Sequence, residues 1–216
     1  MNSYIDRSMA IEAIKQMKSF HTDLHAVMQK HGFDLTSNLG RRNILLSQAQ
    51  EKFFAEQMSR SMKVSNSGRT GEPDIIIHCL GRELECKLTS PSATGALNFQ
   101  TDHETLVRKG SVDYLYVVAD AEFEQFAVFH YTDLTIEDFG PVANGSRGKV
   151  QLLKHKAFDR LNILLGGVKN LNELALDKLH FKHKKARTQK SRERICKSID
   201  YWCKEPTRFA IEMEKV

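Results

Sequence analysis

The chain has 216 residues, 41% hydrophobic and 27% charged, with a formal net charge of +5. That is the make-up of an ordinary globular protein long enough for one well-buried core. No apolar run approaches the roughly 18 residues of a membrane span, and Met1 to Asp6 lacks the charged-then-apolar layout of a signal peptide, so the expectation is a cytoplasmic protein with no membrane partner.

From the N-terminus, Ala10, Ile14, Met17, Phe20, Leu24 and Met28 recur at three- and four-residue steps and predict a helix from Met9 to His31, closed by Gly32. Thr36 to Asn43 reads as a polar connector whose Arg41 and Arg42 are candidate phosphate contacts. Ile44 to Met62 predicts a second amphipathic helix, with Leu45, Ala49, Phe53 and Met58 on one face and Glu51 and Glu56 among its polar residues. Ser65 to Gly71 is a turn-rich loop carrying Arg69. The β-branched run Ile75 to Ile77 and the segment Glu83 to Lys87 predict two strands, with Leu80-Gly81 able to turn the chain. Thr89 to Gly95 is a second small-residue loop, with Ser90 placed to meet a phosphate. Gly95 to Lys109 is helix-compatible, carries Asn98 and Gln100 as possible base readers, and ends at Gly110. Val112 to Ala119 and Phe126 to Tyr131 are strongly β-prone.

From Phe158 onward the pattern predicts helix through Leu161, Leu164 and Leu165, then Leu171, Leu174 and Leu176, with a last helix from Ser191 to Lys204. Charge divides along the chain. Residues 1 to 150 hold 16 Lys+Arg against 19 Asp+Glu, whereas 151 to 216 hold 16 against 8. Lys178 to Lys197 contains nine basic residues and the single acidic Glu193. Such a stripe suits nucleic-acid phosphates, and Lys184, Lys185, Arg187, Arg192 and Arg194 are its candidate contacts. The four cysteines, Cys79, Cys86, Cys196 and Cys203, lack paired zinc spacing and read as reduced thiols. Without repeats or low-complexity linkers, the whole of 1–216 reads as one α/β domain: an N-terminal helical element at 1–35, a core at 44–131 and a basic helical region at 150–216.

The chemistry concentrates in Pro73-Asp74 and Glu85-Cys86-Lys87. A two-residue Leu80-Gly81 hairpin sets Asp74 opposite Lys87, roughly 5 Å away across the ladder and about 7 Å from Glu85 diagonally. Glu85 and Lys87 share a strand face while Cys86 points the other way. Two neighbouring carboxylates suit a hard divalent cation, with the backbone carbonyl of Cys86 as a further oxygen donor. A cation there lowers the pKa of a bound water, and Lys87 orients that water or stabilises charge on phosphorus.

Pro-Asp, about ten residues, then Glu-x-Lys resembles the signature of the PD-(D/E)XK nuclease superfamily, and the predicted order of elements over 44–131 is similar to its core. The resemblance implies a restriction-endonuclease-like fold, a mixed central sheet flanked by helices, with added helices at both ends. It implies Mg²⁺ (Mn²⁺ as a possible substitute) on Asp74 and Glu85, Lys87 assisting the water, and a supporting glutamate on the preceding helix, Glu51 in preference to Glu56. A compact chain with one such core and basic helices resembles a type II restriction enzyme. That implies double-stranded DNA as substrate, a homodimer that cuts both strands, and a cognate DNA methyltransferase. The alternatives are a structure-specific or repair nuclease with the same residues (a nickase or junction resolvase), a nuclease directed at RNA, and a catalytically idle DNA-binding protein.

Overall fold

The structure is a computed structural model that describes residues 3–67, 69, 72–92, 97–145, 148–186, 188–204 and 208–216. Arg187 and parts of the two small-residue loops therefore lie outside the described residues. The chain forms two compact units, Met1–Gly167 with Met213–Val216, and Val168–Glu212.

In the first unit, helix α1 (Arg7–Lys30) starts where the Asp6 side chain accepts from the Met9 N–H, and buries Ala10, Ala13, Ile14, Met17 and His21. Helix α2 (Leu39–Met58) begins five residues earlier than its hydrophobic pattern suggests, because the Asn38 side chain caps the Arg41 N–H. Its buried face includes Leu46, Phe54 and Met58, which join the α1 residues in one core.

That core lies against one face of a mixed seven-stranded sheet among the described residues, ordered β1 (Val64–Ser65), β2 (Ile75–Ile77), β3 (Arg82–Thr89), β5 (Val112–Ala119), β6 (Gln125–Leu134), β11 (Glu214–Lys215), with β8 (Leu161–Leu165) also on β6. The β3–β5 pair is parallel and the others are antiparallel. Strand β5 is buried on both faces, because both sides of the sheet are covered there. Its Leu115, Val117 and Ala119 join the helical core, while Tyr114 and Tyr116 join Phe99, Phe129 and Tyr131 in an aromatic layer on the other side. Over that side runs the small sheet of β4 (Gln100–Asp102) and β7 (Lys149–Gln151), followed by helix α3 (His103–Lys109). Gly110, at φ +73°, ends α3 and donates its N–H to the Leu106 carbonyl.

The second unit contains β9 (Gly167–Asn170) from Val168 onward, paired with β10 (Phe209–Glu212), and helices α4 (Leu171–Lys185) and α5 (Gln189–Lys204). Asn170 caps α4 by accepting from the Asn172 and Glu173 N–H groups. Five α-helices and a mixed sheet among the described residues make the chain an α/β protein.

Three expectations are corrected. The segment from Leu161 to Leu165 is strand, not helix, because it pairs with the open edge of β6. A short, mostly apolar segment such as Leu-Asn-Ile-Leu-Leu is equally compatible with either, and the unpaired backbone of β6 decides it. For the same reason the boundary near residue 150 is displaced to Gly167/Val168. Gln100 lies on β4 opposite Gln151, so the helix expected from residue 95 begins only at His103.

Candidate active site

Strands β2 and β3 pair Ile75 with Leu84, Ile76 with Glu83 and Ile77 with Arg82. The connection is the four-residue turn His78 to Gly81, with Gly81 at φ +61°, rather than a two-residue loop. The ladder is thus displaced by two residues from the expected register, and it heads Asp74 towards Glu85 instead of Lys87. A displacement of two leaves every side chain on its original face, so the charged groups still meet. Leu84 and Cys86 are buried in the core, whereas Glu85 and Lys87 look out on the opposite face.

Asp74 is anchored at both ends. Its Oδ2 accepts from the Cys86 N–H at 2.7 Å, and its carbonyl accepts from the Asn66 amide at 2.7 Å. Lys87 Nζ stands 3.5 Å from Glu85 Oε2 and 4.0 Å from Asp74 Oδ2. Lys109, the last residue of α3, donates to Glu85 Oε1 at 3.0 Å and to Glu83 Oε2 at 2.8 Å. From α2, Glu51 comes near enough to Asp74 for the two carboxylates to repel each other. Glu56 is exposed and paired with Lys52, away from this group. Glu51, Asp74, Glu85, Lys87 and Lys109 line a cavity of about 340 Å³ with Ser47, Arg69, Thr105 and Arg108. A second, of about 500 Å³, shares Ser47, Glu51, Asp74 and Lys87 and extends past Ile44 to Ser90.

The electrostatics are those of crowded acids. Burial, then the neighbouring Asp74 carboxylate, hold Glu51 above the usual carboxylate range. Burial raises Asp74 as well, and Lys87 and the Cys86 N–H only partly offset it. Lys109 loses solvation on burial, yet its bonds to Glu83 and Glu85 keep its pKa above that of a free lysine. The Cys86 thiol is pushed far up by burial, then by Asp74 and Glu51, and so supplies no thiolate ligand.

No three His, Cys, Asp or Glu side chains among the described residues already close around one point as a metal cage. The donor set nevertheless fits a hard divalent ion that keeps most of its waters. It offers carboxylate oxygens from Asp74, Glu85 and Glu51 at one cavity, and the two acids held above their range, Asp74 and Glu51, both carry repulsion that a cation relieves.

The structure separates the remaining candidates. Arg69 lines the first cavity. Arg41 is exposed in the first turn of α2. Arg42 is fully buried and is no phosphate contact: it donates to the carbonyls of Asp120 and Ala121 and to Ser90 Oγ, and stacks 5.0 Å from the Phe123 ring centroid. Ser90 is consequently held by Arg42 and Asn43, although it still edges the second cavity. Asn98 is exposed but accepts from the Gln151 amide, and Gln100 is exposed on β4. In the second unit, Lys184, Lys185, Arg192 and Arg194 are all exposed, and Lys185 lies over the Phe181 ring at 4.3 Å. Lys109 and Asn66 are the site residues that sequence reasoning missed. Only the position of Lys109 just before the helix-ending Gly110 marks it, and nothing in that position points to Glu85.

Comparison of the chain with family models, curated proteins and solved structures yields no match. Among the described residues no helix is long and apolar enough to cross a membrane.

Proposed function

We propose that this chain is a Mg²⁺-dependent endonuclease of double-stranded DNA, with a restriction-endonuclease-like core and the activity of a type II restriction enzyme. The observation that carries the reading is the convergence of Asp74, Glu85, Lys87 and Glu51 on one cavity, from β3, the residue before β2, and α2. Asp74 and Glu85 are the cation-holding carboxylates, with Glu51 beside them and the Cys86 carbonyl as a further oxygen donor. When bound, Mg²⁺ supplies Lewis-acid activation of a water and of the scissile phosphate. Lys87, between the two carboxylates and 37% exposed, is the group free to turn to an incoming phosphate and stabilise its developing charge. Arg69 and Arg108 on the cavity wall add positive charge for the backbone. The exposed cations of α4 and α5 supply sequence-independent affinity. Cutting both strands of a palindrome calls for two copies of the site, hence a homodimer.

The test is digestion of long unmethylated DNA by the purified protein, with Mg²⁺, with Mn²⁺ and with EDTA, beside Lys87→Ala. Discrete, metal-dependent fragments lost in the variant are the expected result. A smear points to a non-specific nuclease. Intact linear DNA with cleaved four-way or mismatched substrates assigns the same residues to a structure-specific nuclease. No cleavage of any substrate leaves only a DNA-binding protein.

A further inference from the structure

Glu85 is held by two ammonium groups, one on each oxygen: Lys109 at Oε1, 3.0 Å, and Lys87 at Oε2, 3.5 Å. Lys109 does not belong to the strand that carries the motif. It reaches the site from the end of α3, where Gly110 stops the helix. It is itself fixed by Glu83 Oε2 at 2.8 Å, a residue two positions before Glu85 on the same face of β3. The side chains of Lys109 and Glu85 are 17% and 15% exposed, so their charge-assisted bond is shielded from water and restrains the carboxylate.

We infer that Lys109 is a positioning residue: by occupying Oε1 it sets the carboxylate plane of Glu85, turning Oε2 towards Lys87, in an orientation that would favour the hold of Glu85 on a divalent cation. This rests on the nuclease reading above. Glu83 completes the device by keeping Lys109 from swinging to solvent. Groups that orient a metal-holding side chain in this way are worth about 10- to 100-fold in metal affinity. The opposite sign is expected if Lys109 merely adds positive charge, since removing a cation near a cation site tightens metal binding.

The experiment is a titration of the protein with Mn²⁺ alone, followed by the electron paramagnetic resonance of free Mn²⁺, for the wild type, Lys109→Met, Lys109→Arg and Glu83→Gln, with thermal melts as a check on folding. The positioning role predicts affinity about tenfold or more weaker in Lys109→Met, mostly restored in Lys109→Arg, and a smaller loss of the same sign in Glu83→Gln. Equal or tighter binding by Lys109→Met overturns the positioning role while wild-type binding keeps the nuclease reading. If Lys109→Met fails to fold, Glu83→Gln decides, and an unchanged affinity there overturns the role. Absence of Mn²⁺ binding by the wild type overturns both.

Discussion

Two charged clusters lie on this sheet, and they are built on opposite principles. Around Asp113, on β5, every demand is met: its carboxylate accepts from Arg82 at 2.8 and 3.1 Å, from the Tyr4 hydroxyl at 3.0 Å and from the Asp133 N–H at 2.7 Å. Arg82 is raised above its usual range, chiefly by the hydrogen bond to Asp113. Around Asp74, one backbone N–H and an ammonium at 4.0 Å face a half-buried carboxylate beside Glu51 and Glu85, and both Asp74 and Glu51 are held above their usual range. A satisfied buried carboxylate serves the fold, whereas an under-compensated pair of acids lining a cavity is the kind of cluster that the proposed cation would relieve.

The comparison is open to experiment. The largest effect is expected from Lys87→Ala: cleavage falls by about 10²–10³-fold or more, with DNA affinity nearly unchanged, as single-turnover kinetics and a binding titration would record. Arg82→Ala should leave Asp113 buried with a lost partner and destabilise the protein by about 3 kcal/mol in urea unfolding, with no change in Mn²⁺ affinity. Should Arg82→Ala abolish metal binding while sparing stability, the roles of the two clusters would be reversed. Neutralising Lys184 and Lys185 should lower DNA affinity and flatten its log–log salt slope by about 1–2 units; an unchanged slope returns those residues to a solvated helix surface.

The smallest effect has the most telling sign. Asp74→Asn should abolish metal binding yet raise the melting temperature of the metal-free protein at neutral pH, by about 2–4 °C for a gain near 1 kcal/mol. The sign follows from linkage. Because the folded pKa of Asp74 lies above its unfolded value, the ionised form costs stability at neutral pH; that cost begins to shrink as pH falls through the raised folded value and is gone below the unfolded one. The advantage of Asp74→Asn over wild type should therefore shrink on acidification. Wild-type Mn²⁺ affinity should weaken over the same range as protons compete for the carboxylates. A variant less stable than wild type at neutral pH would show that Asp74 serves the fold.

Much of this was legible in the residues. Helix α1 and strand β5 follow from long, uninterrupted patterns, because a continuous period of 3.6 or an eight-residue β-prone run leaves few other ways to bury apolar surface. The convergence of Asp74 with Glu85 and Lys87 survived an error in register because strand faces depend only on parity, and a shift of two preserves it. The buried role of Arg42 is illegible in the sequence for the opposite reason. In a polar connector an arginine that clamps the Asp120–Phe123 turn looks the same as one that meets a phosphate, and only the three-dimensional neighbours distinguish them.

The sequence by itself therefore determined the class of fold, the main core strands and helices, and the meeting of Asp74, Glu85 and Lys87 on one sheet face, since each follows from local periodicity and from which residues share a face. Tertiary structure alone decided that Leu161 to Leu165 is a strand, that Glu51, preferred to Glu56 only on resemblance, lines the cavity, and that Lys109 holds Glu85. Each of these depends on a partner distant in the chain: an open backbone edge, a neighbouring acid, a carboxylate 24 residues away. No local pattern encodes where such partners come to lie.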